Sequence, residues 1–385
     1  MKDKPEHFDF WRNPRKTTLR RWIFYVHFYG GIVAGLLLSL VGITGSVITF
    51  APELRILEVP GAATVVPTGQ TVTFEKLWQT VREARPHDSF VTLNVGLGPA
   101  KGLNFRTESP RKERIHTYID QYTGKILYQD NYHNRLLQKI YDLHSDLLLG
   151  ITGRTINAWF AILLSIISIT GLLLWWRGRK LWHLGFLYKF RGNWKRQSWD
   201  IHNLGGVCFL APLVLLACTG VYYSYRDVYA IVAAFVTQGP ATIAAPPASL
   251  STANRRPLDA ILSSAEQAMP ECKPTIISFP KKSDESFSVR FRCASDPYHV
   301  GLSYVYVDPP TAKVLGVDRF RSAPLGVRLV RLITPVHYGD VGGLFTRILW
   351  VVVGVVPGIL FVTGLLLWWN RSLSRVWGRP EAQRL

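Results

Sequence analysis

An internal repeat constrains this chain more than any other feature of its sequence. The seven residues Thr-Gly-Leu-Leu-Leu-Trp-Trp occupy 170–176 and recur unchanged at 363–369, an offset of 193 positions (363 minus 170). A histidine stands 26 residues before the Thr of each copy, at His144 and His337 (170 minus 144, 363 minus 337). Because a long repeat fixes the architecture of a chain, we interpret the protein as a duplicated unit.

The other half of each unit repeats as well. His27 and His202 both stand 17 residues before a Thr-Gly pair, and both are followed at the third and fourth positions by two glycines. Those glycines are Gly30, Gly31, Gly205 and Gly206. Arg154 and Arg347 also superpose at the 193 offset. The duplication therefore carries histidine twice at each of two places.

Four apolar runs cover about 22–50, 155–176, 204–225 and 348–369. A helix needs about 20 apolar residues to cross a hydrocarbon core of about 30 Å, so all four runs are predicted membrane helices. The first run is too long for a cleavable signal peptide, and no small-residue cleavage site follows it.

The net charge of +19 follows the predicted membrane boundaries. Segments 1–21 and 177–196 each hold seven Lys or Arg, whereas the long segments 51–143 and 226–346 are nearly balanced. Short basic loops remain in the cytoplasm, and long domains cross regardless of their charge. This distribution argues against nucleic acid as a partner and places both termini in the cytoplasm.

These features divide the chain into nine segments. Their order is a cytoplasmic arm (1–21), membrane helix 1 (22–50), a first periplasmic domain (51–133), a histidine segment with membrane helix 2 (134–176), a basic cytoplasmic loop (177–198), membrane helix 3 (199–230), a linker with a second periplasmic domain (231–325), a histidine segment with membrane helix 4 (326–370) and a cytoplasmic tail (371–385). The predicted fold is an α+β membrane protein, with a four-helix transmembrane bundle built from two repeated helix pairs, each carrying an inserted small α+β domain.

The two long segments share one plan. Amphipathic spacing predicts helices at 74–84 and about 258–269, and β-rich runs predict strands after each of them. The predicted strands are 90–93, 116–120 and 126–128 in the first segment, and 275–279, 286–291, 304–308 and 314–317 in the second. Cys272 and Cys293 both fall in the second segment, where we expect them to form a disulfide.

Ionisable residues at membrane depth are a functional hypothesis by default. One histidine could be an interfacial anchor or a satisfied polar group between helices, but four histidines at two depths favour a cofactor. A twofold axis normal to the membrane pairs His27 with His202 and His144 with His337. Facing imidazoles on a bundle suit a six-coordinate iron, as in a b-type haem. We therefore predict two haems with these four axial ligands.

The neighbours of the histidines have two readings each. The glycines Gly30, Gly31, Gly205 and Gly206 could leave space for a flat macrocycle or let two helices approach closely. Arg154 and Arg347 could bind haem propionates through bidentate hydrogen bonds or extend to the lipid headgroups. A zinc site is a weaker alternative, since only Asp146 and Asp340 could complete its ligand set. No catalytic residues are assigned.

At this point the sequence resembles the PepSY-associated transmembrane family of bacterial inner-membrane proteins. The matching features are the His-x-x-Gly-Gly starts of helices 1 and 3, the His–Gly–Arg approach to helices 2 and 4, the Thr-Gly-Leu-Leu-Leu-Trp-Trp ends and the Thr-Gly-Lys hairpin turn at 123–125. The resemblance makes both inserted domains PepSY-like. The second hairpin departs from the pattern, because Ala312 stands where the first has Gly124.

The resemblance implies a haem-dependent ferric-siderophore reductase. Electrons from a cytoplasmic or quinol donor would cross the inner membrane and reduce Fe(III)-siderophore in the periplasm, releasing Fe(II). Membrane lipid is the other expected partner. Two further classes stay open, a siderophore permease and a regulatory scaffold that acts through its periplasmic domains. A permease predicts polar residues at mid-bilayer, and the four apolar runs hold almost none beyond Ser and Thr.

Overall fold

The computed structural model describes Trp11, Pro14 and residues 17–59, 64–96, 98–188, 192–249, 255–294 and 296–376. Most of the predicted arm 1–21 and tail 371–385 therefore lies outside the described residues. The chain divides into two compact units. We call Met1–Thr49, Ile140–Tyr225 and Arg347–Leu385 the helix unit, and Phe50–Lys139 with Arg226–Thr346 the sheet unit.

The described residues form eleven α-helices and eight β-strands. The helices are α1 (Thr18–Ile48), α2 (Ala51–Glu58), α3 (Phe74–Ala84), α4 (Leu136–Asp146), α5 (Gly150–Trp175), α6 (Trp194–Cys208), α7 (Leu210–Tyr222), α8 (Arg226–Thr237), α9 (Leu258–Ala268), α10 (Leu325–Tyr338) and α11 (Gly343–Val376). The strands are β1 (Ser89–Asn94), β2 (Leu103–Glu108), β3 (Arg114–Ile119), β4 (Ile126–Asn131), β5 (Lys273–Ser278), β6 (Phe287–Arg292), β7 (Ser303–Val307) and β8 (Val314–Asp318).

Three helices of the helix unit, α1, α5 and α11, are long and apolar enough to cross a membrane. The crossing of α1 and α11 is close, because a Cβ at Gly42 would lie 2.1 Å from the carbonyl oxygen of Gly354. The Ser46 hydroxyl donates to the Val351 carbonyl at the same crossing, 2.9 Å away. Small residues allow this approach of two backbones, as is common where apolar helices pack in membranes.

The third predicted span is not one straight helix. α6 and α7 meet at Phe209 and are bent by 59°. Pro212 explains the break, because its ring clashes with the carbonyl four residues earlier, at Cys208, and it has no N–H to donate. Hydropathy alone identified the apolar run. The structure confirms three apolar spans, or four if the bent pair is counted as one.

The sheet unit contains one antiparallel sheet of eight strands, in the order β4-β3-β2-β1-β5-β6-β7-β8. Each repeat contributes four consecutive strands, and β1 pairs with β5 through Thr92 with Ser278 and Asn94 with Ile276. The sequence predicted one small domain per repeat. It did not predict that the two domains join at their first strands into a continuous sheet.

The remaining sequence predictions of local structure fare well. Both amphipathic helices are present, as α3 and α9, and every predicted strand corresponds to one in the structure. The strand β2 was not predicted, although the run Leu103–Glu108 has the apolar–polar alternation of a half-buried strand. Cys272 and Cys293 are joined by a disulfide, as expected.

One hydrophobic core serves both halves of the sheet. It includes Leu77 of α3, Leu258 of α9, Phe105 of β2 and Phe291 of β6, all fully buried. The two helices also cap each other. Asp259 accepts from the Phe74 and Glu75 amides, and Glu75 accepts from the Leu258 amide at 2.9 Å. Carboxylates satisfy orphan amides at helix starts, so this exchange binds the two halves together.

Candidate functional site

His27 lies on α1 with its ring directed at α5. Its Nδ1 donates to the Ile167 carbonyl at 3.0 Å and lies 3.3 Å from the Thr170 hydroxyl. A carbonyl oxygen only accepts, so Nδ1 carries the proton and Nε2 carries the lone pair. Gly171 makes room for the ring, because a Cβ there would lie 3.0 Å from His27 Cε1.

His202 repeats this arrangement on α6 against α11. Its Nδ1 donates to the Leu360 carbonyl at 3.1 Å and lies 3.1 Å from the Thr363 hydroxyl. A Cβ at Gly364 would lie 3.4 Å from His202 Cε1. The two histidines therefore have the same tautomer. Each is fixed by the second membrane helix of its own repeat, α5 for His27 and α11 for His202.

The rings of His27 and His202 lie close together. Their centroids are 6.1 Å apart and their planes are perpendicular, at 90°. Imidazoles on opposite sides of one metal ion would have centroids about 6 Å apart, because a metal–nitrogen bond is about 2 Å long and the nitrogen lies about 1 Å from the ring centre. Metal-binding histidines usually donate their second nitrogen to a carbonyl or carboxylate, as both do here. The donor set and spacing fit two axial ligands of one iron.

His144 occupies a third position of the same kind. It lies on α4, and its Nδ1 donates to the Val41 carbonyl of α1 at 2.8 Å. A Cβ at Gly45 would lie 2.8 Å from His144 Cε1. The His144 backbone is held as well, since the Asn157 side chain donates to its carbonyl at 2.7 Å.

A Thr-Gly pair thus forms a seat for each of these histidines. The Thr hydroxyl donates to the carbonyls three and four residues earlier, and the histidine Nδ1 binds the carbonyl three residues earlier. Thr219 of the fourth pair, Thr219-Gly220, makes the same two hydroxyl contacts, to Leu215 and Leu216. Sequence reasoning used the Thr-Gly pairs only as repeat markers. The available signal was that each of the four apolar runs contains one Thr-Gly pair, which matches the number of repeated histidines.

The sequence also identifies the family to which this chain belongs. The sequence matches the family described as the PepSY-associated TM region over residues 24–371. The chain belongs to the PepSY-associated transmembrane family. No curated protein sequence matches it. The match covers the four repeated histidines, the Thr-Gly pairs of the four apolar runs and the sheet unit. The family and the three long apolar helices both indicate that this PepSY-associated protein is a membrane protein.

The glycines beside His27 and His202 differ in how closely other side chains approach them. A Cβ at Gly30 would lie 3.2 Å from Ile167 Cγ1, so this glycine lets α1 approach α5. A Cβ at Gly31 or Gly206 would meet nothing within 4 Å, so helix packing does not require these two glycines. Gly205 is intermediate, with an ordinary contact to Leu360 at 3.5 Å. Gly31 and Gly206 are therefore the better candidates for leaving space beside a macrocycle.

The two repeated arginines lie near the ends of helices. Arg347 donates through Nε and Nη2 to the Thr49 carbonyl, at 3.3 and 2.8 Å, where α1 ends. A cation there also stabilises the negative end of the helix dipole. The carbonyl of Arg154 accepts from the Ser224 hydroxyl at 3.1 Å. The structure thus gives Arg347 a helix-capping role, and the propionate role of both arginines stays a prediction.

The remaining predicted residues are placed as follows. His337 lies in the last turn of α10 in the sheet unit, two residues before Gly339, which has the left-handed conformation. The pairing of His337 with His144 stays a prediction from the repeat. Asp340, the proposed zinc partner, instead accepts from His299 Nδ1 at 3.1 Å. Among the residues that the structure describes, no three His, Cys, Asp or Glu side chains assemble as a metal site, Asp146 included.

Proposed function

We propose that this protein is a dihaem oxidoreductase of the bacterial inner membrane that reduces Fe(III)-siderophore on the periplasmic side and releases Fe(II). The observation that carries the proposal is the His27–His202 pair, with perpendicular rings 6.1 Å apart. Haem b bound there would supply one-electron transfer within the apolar helix unit.

The protein's own groups prepare this site. Each Nδ1 donation to a helix carbonyl fixes the tautomer and ring orientation and raises the basicity of Nε2. The Thr170 and Thr363 hydroxyls point their protons at their own helix, so their oxygens accept from Nδ1 as well. The two ligands are thus oriented before any cofactor binds, which lowers the entropic cost of binding.

The second haem rests on a different argument. His144 has the same kind of seat as His27 and His202, and the repeat pairs it with His337. Arg154 and Arg347 follow these histidines in both repeats and are the proposed propionate partners. The donor would be cytoplasmic or a quinol in the lipid phase. The charge distribution supports cytoplasmic termini and two periplasmic segments. In this proposal the periplasmic segments bind the siderophore.

An optical spectrum of the purified protein tests the cofactor. We expect a reducible Soret band with b-type features and two haems per chain by pyridine haemochrome assay. His27→Ala and His202→Ala should each remove about half of the haem. His87→Ala is the matched control, because His87 is exposed in the sheet unit and should leave the spectrum unchanged. A spectrum without a Soret band would rule out the proposal.

The ring geometry and the substrate call for separate tests. Perpendicular axial imidazoles give a strongly anisotropic low-spin signal in electron paramagnetic resonance, and His27→Ala should abolish it. Dithionite-reduced protein in vesicles should then be reoxidised by ferric siderophore, with Fe(II) captured by a chelator. Reoxidation that persists without the His pair would contradict the reductase. Siderophore uptake without Fe(II) release would favour a permease, and an effect independent of all four histidines would favour a scaffold.

A further inference from the structure

The first half of the sheet carries an unusual polar cluster on the face opposite α3 and α9. Arg106, His116 and Asp130 stand side by side on β2, β3 and β4, since the register pairs His116 with both neighbours. Alternation along each strand puts these side chains on the face away from the core residue Phe105. The cluster is therefore separate from the hydrophobic core and from the histidines of the helix unit.

The His116 side chain is packed tightly but makes no hydrogen bond to any residue that the structure describes. Its ring stacks on Tyr132, with centroids 4.3 Å apart and planes inclined by 19°. Both ring nitrogens are buried and lack a hydrogen-bond partner, and the same is true of Arg55 Nε nearby. Leaving a buried polar atom unsatisfied costs about 1–3 kcal/mol, so three such atoms close together need an explanation. A bound ligand that forms hydrogen bonds with them would remove this cost.

Positive charge surrounds this imidazole. Burial first, and then the charges of Arg135, Arg55, Arg106 and Arg114, lower the pKa of His116 to about 3. Burial and the charge of Arg114 also lower the pKa of Arg106. His116 is therefore neutral at physiological pH, and four guanidinium groups act on one small region.

Only one of these arginines is matched by a carboxylate. Arg135 binds Asp130 in a bidentate pair with two contacts of 2.6 Å. Within the described parts of the chain, Arg55, Arg106 and Arg114 have no carboxylate within ion-pair distance. Arg55 instead donates to the Tyr132 hydroxyl at 2.6 Å. The half-buried Arg106 and the exposed Arg114 leave the cluster accessible from solvent.

The second half of the sheet shows that the fold does not require this cluster. The alignment of Tyr118-Ile119-Asp120 with Tyr306-Val307-Asp308 places Tyr304 at the position of His116. There the Arg331 guanidinium binds Asp318 and also lies over the Tyr304 ring, 5.2 Å from its centroid. An aromatic ring thus occupies the place of the unsatisfied imidazole, and one arginine–carboxylate pair persists.

We propose that the cluster of Arg55, Arg106, Arg114, His116 and Tyr132 binds a small soluble molecule through an oxyanion, a carboxylate or a phosphate group. Guanidinium groups recognise both oxyanions through paired N–H donors, and the neutral imidazole contributes one further donor. The stacked Tyr132 and His116 rings form one wall of the site. The proposal is independent of haem, because every residue belongs to the sheet unit.

The test is anion binding to the full-length protein in neutral detergent. Citrate and inorganic phosphate are titrated by calorimetry, with sodium chloride at matched ionic strength as reference. Arg106→Gln and His116→Tyr should weaken binding at least about tenfold, as loss of a charge-assisted contact implies. His116→Tyr should still fold, because the second half of the sheet carries Tyr304 there.

Arg290→Gln is the matched control, because Arg290 lies over Tyr304 at the corresponding place in the second half. It should leave binding unchanged. Nanodiscs with and without phosphatidylglycerol identify the source of the group: binding of soluble citrate or phosphate supports the proposal, and binding of the lipid alone overturns it. Binding no stronger than chloride, or equal binding by wild type and both variants, also overturns it.

Discussion

The two halves of the sheet unit share a scaffold but differ in the polar groups on its outer face. Both carry a buried arginine–aspartate pair, Arg135 with Asp130 and Arg331 with Asp318. In the first half the pair adjoins His116 with three more arginines, whereas in the second it adjoins Tyr304. The shared pair is a requirement of the fold. The different neighbours show where one half is free to specialise.

The helix unit provides the opposite case, because its two halves keep the same chemistry. His27 and His202 make equivalent contacts with a carbonyl, a threonine hydroxyl and a glycine. Under the proposed function one histidine cannot change without loss of the shared metal, whereas a surface cluster in one half can change alone. Duplication thus preserves the paired histidines and leaves the sheet face variable.

The largest difference between the halves should appear when the aspartates are neutralised. Asp130→Asn should destabilise the protein by about 3–5 kcal/mol, because it leaves the buried Arg135 charge unpaired beside other guanidinium groups. Asp318→Asn should cost less, since Arg331 keeps the Leu302 carbonyl as an acceptor, whereas the contacts that Arg135 keeps within the described residues are to tyrosines. Thermal unfolding in detergent measures both changes. Glu271→Gln, which breaks an exposed pair with Arg319, is the control and should leave the unfolding temperature nearly unchanged. Equal losses for the two aspartates would contradict the comparison.

The second prediction concerns pH. The pKa of His116 falls from 6.5 in the unfolded chain to about 3 in the fold. As the pH drops from 6.5 towards 3, the unfolded chain gains a proton that the folded state does not bind, so stability decreases. At pH 5 this loss is about 2 kcal/mol.

His116→Tyr should remove that loss, so its unfolding temperature should fall less than that of the wild type between pH 7 and pH 5. The Tyr304 half has no comparable group and supplies the structural precedent. Parallel pH profiles for the two proteins would show that His116 does not titrate as the structure implies.

The smallest effect should come from the hairpin turns. Gly124 has φ +73° and Ala312 has φ +58°, so the second turn places a Cβ in the left-handed region. Ala312→Gly should relieve a strain of about 1–2 kcal/mol while adding about 0.5–1 kcal/mol of chain entropy cost, for a net gain below about 1 kcal/mol. Gly124→Ala should have the opposite sign in the same unfolding assay. A loss of stability for Ala312→Gly would show that the turn is not strained.

Much of the local structure could be predicted from sequence. Leu77 and Val81 of α3 repeat at helical spacing, and the strands β5 and β6 have alternating burial. One error has a physical cause. Pro212 bends the third apolar segment, and hydropathy does not register a bend. The strand β2 was an oversight, since its alternation of apolar and polar residues is typical of a strand.

The sequence identified the histidines of the candidate site but not the residues that hold them in place. Repetition and membrane depth identified the four histidines, and the structure brings His27 and His202 together. The Thr-Gly seats belong to other helices than the histidines they hold, so their role required the packing. His116 has no counterpart in the other repeat, where Tyr304 stands at the corresponding position. That same asymmetry is the basis of the proposed anion site.

The sequence by itself determined the duplication, the apolar helices and the residues that recur, because these depend on spacing along the chain. Tertiary structure alone decided which strands meet at the centre of the sheet. Any strand can pair with several others, and the Thr92–Ser278 pairing joins residues far apart in the chain. It also decided the pKa of His116. The charges that act on its imidazole come from α2, β2, β3 and the residue just before α4. Electrostatic energy depends on distance in space, which only the fold sets.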